Sequence, residues 1–193
     1  MYGLRLQRGA NPKVEVAGYR QIQALHQALL LNEKLGGNKQ ARIVEIGGGL
    51  GYTAFYAHSL GYTDYTIIDL PITGVAQAHY LATVLGDNVV TLYGESDYPG
   101  AIRLLPPSAF LEGDPGLFDI VLNVDSLTEM GFSTMRAYWE RIKTHSRRFL
   151  SVNHEANAHT VREFVHGDPA VKTYTRTEYW LRRGYVEEYM TFV

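Results

Sequence analysis

The chain of 193 residues contains no cysteine. Disulfides and thiolate metal sites are therefore excluded, which suits a reducing compartment. Long hydrophobic runs are missing as well: no stretch approaches the roughly 20 apolar residues that a membrane span requires. The opening "MYGLRLQRGANPK" lacks the apolar core of a secretory signal. Neither sign of charge dominates. The formal net charge of −2 gives no electrostatic reason to expect nucleic acid or an anionic membrane as a partner. Internal repeats and low-complexity tracts are also lacking. What remains is ordinary globular material, 46% hydrophobic and 20% charged, long enough to bury a core as one domain. A cytoplasmic protein is expected.

Strand and helix signals alternate with little slack. "ARIVEIG", "YTIIDLP", "NVVTLYG", "FDIVLNV" and "RRFLSVN" are short apolar runs rich in β-branched residues, each bounded by glycine, proline or polar residues. Nearly continuous apolar strands imply burial on both faces, as in a parallel sheet. Helices are expected between them, over Tyr52–Leu60 and Thr73–Leu85, closed by Gly61 and Gly86. Another is expected over Ser133–Ser146, with Met135, Tyr138, Trp139 and Ile142 on one face. Before the first strand, Val14–Leu35 reads as an amphipathic helix with Ile22, Leu25 and Leu29 inward. Residues 99–118, rich in proline and glycine, suggest a short helix and loop. The tail after Asp168 reads as two strands joined through "RRGY", an antiparallel hairpin. The rhythm as a whole predicts an open α/β fold.

One stretch carries chemistry. Gly47, Gly49 and Gly51 form G-x-G-x-G directly after a strand, with Gly48 as a spare. Glycine lets the backbone turn sharply and approach a ligand, while the next helix offers free N–H groups. A nicotinamide-dinucleotide loop needs a third glycine where Tyr52 stands, and a triphosphate loop needs a Gly-Lys-Ser/Thr ending that is absent. Glu45, before the glycines, would repel a pyrophosphate but suits a ligand bearing an ammonium or sulfonium charge. Asp69 ends the second strand, where an acid accepts hydrogen bonds from ribose hydroxyls.

"VEIGGGLGYTAFYA" followed by "IIDLP" resembles motifs I and II of class I S-adenosylmethionine-dependent methyltransferases. The triplet Asp69-Leu70-Pro71 is similar to that of small-molecule O-methyltransferases. "FDIVLNVDSLTEM", "SVNHEAN" and "EYWLRRGYVEEYM" together resemble bacterial sugar O-methyltransferases. The class-level resemblance covers residues 41–193 and leaves 1–40 as a helical lead-in. It implies a single Rossmann-like, seven-stranded, mostly parallel sheet with helices on both faces and a C-terminal antiparallel hairpin. It implies S-adenosyl-L-methionine as cofactor, with Glu45 orienting the methionine amino group and Gly47, Gly49 and Gly51 passing beneath it. Asp69, with Leu70, would grip the ribose. Glu95 and Ser96 would line the adenine, although many relatives carry aspartate where Glu95 stands. Asn123, Val124 and Asp125 would flank the sulfonium end.

The implied reaction moves a methyl group to a small-molecule hydroxyl, foremost that of a sugar. A hydroxyl is a poor nucleophile until its proton leaves, so a base is expected. His154 is the favoured base because imidazole titrates near neutrality, with Asp125 or Glu129 orienting the acceptor or the ring. His154 could equally be a strand-end residue bonded to backbone, and Glu129 a helix cap. "HEANAH" sets His154 and His159 at i, i+5, which turns them apart on a helix; a divalent ion held by Asp125, Glu129 and an acceptor diol is the alternative to a base, but no metal is expected. The aromatic tail leaves a homodimer open. Two rivals stand: a donor-binding domain without activity of its own, since fuller relatives carry longer amino-terminal regions over the acceptor, and an NAD-binding oxidoreductase, disfavoured by Tyr52 and Glu45.

Overall fold

The computed structural model describes residues 7–8, 15–16 and 18–193. Two short strands, β1 (Gln7–Arg8) and β2 (Glu15–Val16), pair antiparallel, with Gln7 opposite Val16. Helix α1 spans Tyr19–Lys34, so the helix expected from Val14 begins later. Val14 and Ala17, at its expected start, lie outside the described residues.

The central sheet has eight strands: β3 (Ile43–Ile46), β4 (Tyr65–Ile68), β5 (Val90–Leu92), β6 (Ile102–Leu105), β7 (Ile120–Val124), β8 (Arg148–His154), β9 (Val171–Glu178) and β10 (Tyr185–Phe192). Their order is β5-β6-β4-β3-β7-β8-β10-β9. All neighbours pair parallel except β10, which runs antiparallel to both β8 and β9. The expected architecture is present with one strand more than the seven foreseen. The extra strand is β6, inside the segment taken for helix and loop; α4 (Pro107–Leu111) supplies the short helix. Four apolar or basic residues between glycine and proline punctuation are too few to show a period.

Side chains alternate across the sheet. Ile43, Tyr65, Ile67, Ile120, Leu122, Leu150 and Val152 pack towards α1 and α2 (Tyr52–Ser59), with Leu81 of α3 (Pro71–Leu85). Val44, Ile46, Ile68, Val121 and Phe149 pack on the other face with α4, α5 (Phe132–His145) and α6 (Arg162–Val165). Burial on both faces explains the unbroken apolar runs. Helix α5 turns in Met135, Tyr138, Trp139 and Ile142, the face its sequence period predicts. Helix α1 does not follow its period. Ile22 and Leu29 are exposed, while Gln23, Ala24, Gln27, Ala28 and Leu31 face inward. Small residues let α1 approach α2 closely, and its amides line a cavity instead of solvent.

From β3 the chain steps first to β4 on one side and later to β7 on the other. Such a reversal of strand order opens a crevice beyond the carboxyl ends of the strands.

Candidate active site

The crevice is floored by the loop from β3 to α2. Gly47 adopts φ +76° and donates its N–H to Ile68 O at 2.9 Å. A Cβ on Gly47 would stand 2.2 Å from Ser126 Oγ, and one on Gly48 would stand 2.7 Å from Ile67 Cγ2. Gly48 is therefore no spare; the loop is pressed onto β4 and β7 from beneath. At Gly49 (φ +57°) an added Cβ meets nothing within 4 Å, so there the backbone faces open space.

That space is a cavity of about 480 Å³, lined by the glycine loop, Glu45, Tyr52, Thr53 and Thr73, by Val124, Asp125 and Glu129 after β7, and by Arg20, Gln23, Ala24 and Gln27 of α1. Glu45 is buried and accepts a hydrogen bond from Tyr65 Oη at 2.8 Å. Burial pushes its carboxyl up to about 7, against the hydrogen bond from Tyr65 and the pull of the nearby Thr53 hydroxyl, and the Asp69 charge adds to the rise. On the facing wall, Gln27 Oε1 accepts from Thr53 Oγ1 at 2.8 Å. Gln23 is buried too, yet neither atom of its amide has a partner among the described residues. A buried amide on a cavity wall costs free energy until its polar atoms are met.

Asp69 stands at the end of β4, beside the end of β6, where its N–H donates to Leu105 O at 3.1 Å. Its carboxylate accepts from Leu70 N and from Gln77 Nε2, both at 2.8 Å. Burial raises its carboxyl, and those hydrogen bonds hold the rise back. Gln77 Nε2 also donates to Gly49 O at 2.9 Å, linking Asp69 to the glycine loop, while Gln77 Oε1 is buried without a partner among the described residues. A second, mostly apolar pocket of about 210 Å³ opens here, between Leu70, Val75 and Gln77 on one side and Leu92, Leu104, Leu105 and Pro106 on the other.

Several of the expected site residues stand away from these cavities or are already engaged by neighbours. Glu95 and Ser96 line neither of these pockets; Glu95 accepts from Leu92 N at 2.7 Å at the sheet's edge. Strand β6 inserts between β5 and β4, so Leu105 and Pro106 occupy the place beside Asp69 that the residues after β5 were expected to hold. Asn123 is wholly buried and lines neither pocket. Its Nδ2 donates to Ile46 O at 2.9 Å and to Ser126 Oγ at 2.6 Å, and its Oδ1 accepts from Asn153 Nδ2 at 2.8 Å. It knots the ends of β3, β7 and β8 under the site. His154 stands apart from the cavity lining: its Nδ1 accepts from Ala156 N at 3.0 Å and its Nε2 edge packs against Gly184. The lone pair that a base needs is already used. Asp125 lines the cavity but is committed as well, accepting from Arg182 Nη1 at 2.5 Å and Tyr185 Oη at 2.6 Å. Burial opposes its ionisation, yet these partners, with Arg20 at 3.6 Å, hold its carboxyl below the usual range. It sits at φ +56°, a conformation that packed partners must enforce. Glu129, exposed at the end of a short 3₁₀ turn, faces the cavity.

Sequence reasoning passed over Gln23, Gln27, Gln77, Leu105 and Pro106. A signal existed for the first two: Arg20, Gln23, Ala24 and Gln27 fall at i, i+3, i+4, i+7, one helical face. The period of Ile22, Leu25 and Leu29 competed with it.

No protein-family model matches the sequence, and no curated protein does either. Solved structures resemble the fold throughout. A magnesium protoporphyrin IX methyltransferase from Synechocystis PCC 6803, solved with bound S-adenosylmethionine, superimposes with a TM-score of 0.63 at 15% identity over 90% of this chain and 80% of that one. The glycopeptide N-methyltransferase MtfA, solved with S-adenosylhomocysteine, gives 0.66 at 14% over 88% and 90%. Mitomycin 7-O-methyltransferase MmcR gives 0.61 at 14%, over 89% of this chain but 54% of its own length. The chain has the fold of S-adenosylmethionine-dependent methyltransferases.

Proposed function

We propose that this protein is an S-adenosyl-L-methionine-dependent O-methyltransferase acting on a small-molecule hydroxyl, foremost that of a sugar. The observation that carries the donor assignment is one crevice holding a buried acid, Glu45, beneath a glycine loop, and a second acid, Asp69, at the next strand end. The residues suit the donor's three parts. Glu45, ionised, offers a counter-charge to the ammonium, and the unpaired Gln23 amide lies on the facing wall. Asp69 and the free Gln77 Oε1 suit two ribose hydroxyls. The apolar slot between Leu70 and Leu105–Pro106 suits a flat adenine ring.

When bound, the donor supplies an electrophilic methyl group on sulfonium sulfur. The chain's own contribution is positioning and proton removal. Val124 and Asp125 wall the end of β7, and Asp125 stays ionised there by its pairing with Arg182 and Tyr185. Glu129 is the base of this proposal. It faces the cavity and makes no side-chain hydrogen bond among the described residues, and its carboxylate would take the hydroxyl proton as the acceptor oxygen bonds the methyl carbon and the methyl–sulfur bond breaks.

Calorimetry with S-adenosylhomocysteine and with NAD tests the donor: the first binds and the second does not. Turnover against a panel of glycosides tests the acceptor and the base. Glu129→Gln is expected to lower kcat about 10²-fold or more with donor affinity kept. Binding of NAD in place of the adenosyl thioether would overturn the assignment.

A further inference from the structure

The turn at residues 179–184 joins β9 to β10 and meets the cavity wall through Arg182, which bonds Asp125, and one histidine of α1 holds it. His26 Nδ1 lies 3.0 Å from Tyr179 Oη, and His26 Nε2 lies 3.1 Å from Trp180 Nε1. An indole N–H only donates. His26 Nε2 must therefore be the lone-pair nitrogen, and Nδ1 carries the proton towards the tyrosine oxygen. The indole stands edge-on to the imidazole, with ring centres 5.2 Å apart. Tyr19 Oη adds a hydrogen bond to Leu181 O at 3.3 Å. Next in the chain is Arg182, whose guanidinium covers the Tyr185 ring and bonds Asp125 at the cavity wall.

We propose that His26 is a positioning residue: only in its neutral form does it clasp the 179–184 turn to α1, keeping Arg182 on Asp125, and its protonation releases the turn from the cavity wall. The conflict is one of donor count. An imidazolium has two N–H groups and no lone pair, so Nε2–H would confront the indole N–H across a distance that admits one hydrogen. Trp180 is three-quarters exposed and has room to swing away.

The charges around His26 set the direction of its titration. Burial favours the neutral ring, while Glu187 of β10 and Glu33 of α1 favour the charged one. Lys34 pairs with both glutamates, at 2.9 Å to Glu33 and 3.7 Å to Glu187, and so weakens their pull. Tyr179 faces the ring from the turn as a neutral phenol. The net effect moves His26 below its ordinary value of 6.5, so the clasp is closed at neutrality and opens on acidification. Asp125 does not open it, because its carboxyl is held below the usual range. The proposal rests on ring geometry and stands whatever ligand the cavity takes.

The chain has two tryptophans, which makes the test direct. Trp139 Nε1 donates to Asp168 at 2.8 Å, far from the turn in sequence, and serves as an internal reference. Indole N–H resonances of the ¹⁵N-labelled full chain are followed from pH 8 to pH 5. The Trp180 signal is expected to lose its hydrogen-bonded shift in one step, with a midpoint below 6.5 matching that of the His26 ring, while Trp139 stays fixed. His26→Gln can accept from Trp180 through Oε1 and donate to Tyr179 through Nε2, so it should hold the Trp180 shift flat across the range. A flat wild-type signal, a step that survives in His26→Gln, or both indoles moving with one midpoint would each overturn the proposal.

Discussion

If Glu45 holds the ammonium of a methyl donor, it must be ionised to do so, and burial has pushed its carboxyl up to about 7. Donor binding and proton release are then one event. Below pH 7 each unit of pH leaves roughly ten times less of the ionised carboxylate, so the apparent affinity falls by about the same factor. S-Adenosylhomocysteine should therefore bind about tenfold more weakly at pH 6 than at pH 8. Calorimetry at pH 7 in two buffers of different ionisation heat should show a fraction of a proton released per ligand. Glu45→Gln should bind more weakly at pH 8, lose the pH dependence and release no proton. Equal wild-type affinities at pH 6 and pH 8, with no buffer dependence of the heat, would refute the pairing of Glu45 with a ligand cation.

Other outcomes follow from the same geometry. Because Glu45 binds its proton more tightly folded than unfolded, the ligand-free protein should lose stability as pH rises from about 4.5 to about 7, and urea melts of Glu45→Gln should lack that decline. Gln23→Leu removes an unpaired buried amide; thermal melts should show the empty protein unharmed or more stable by about 1 kcal/mol, while titration shows weaker ligand binding. Gly47→Ala meets Ser126 at 2.2 Å and a left-handed backbone, so denaturant melts should register a loss of roughly 1–3 kcal/mol or more. Gly49→Ala, with open space before it, should fold with a smaller loss and fail chiefly in ligand titrations.

The fold was legible wherever local pattern and burial agree. Ile43–Ile46 and Tyr65–Ile68 are buried on both faces, so their runs are unbroken, and glycines mark the ends of α2 and α3. Legibility failed where a tertiary neighbour decides. Strand β6 is four residues long and is held by pairing with β4 and β5, which no local period announces. Its insertion puts Leu105 and Pro106 in the pocket beside Asp69, while Glu95 and Ser96, expected to line the adenine, stand outside it. Glu45, the glycine loop and Asp69 could be singled out because each stands at or directly after the end of a strand that its own sequence announces. The catalytic expectations were harder. Whether His154 or Asp125 has a free lone pair depends on Ala156, Arg182 and Tyr185, and the last two come from the distant hairpin.

The reversed direction of β10 has a consequence for how such a scaffold can diversify. Tyr185 lies opposite His154 and Thr191 opposite Arg148, which delivers the hairpin's connection to the same edge as the glycine loop. Residues added to or removed from that connection would reshape the surroundings of Asp125, which Arg182 holds, while every rung of the ladder stayed intact. That corner of the cavity can thus drift independently of the glycine loop, and grafting connections of different length is a direct way to alter it.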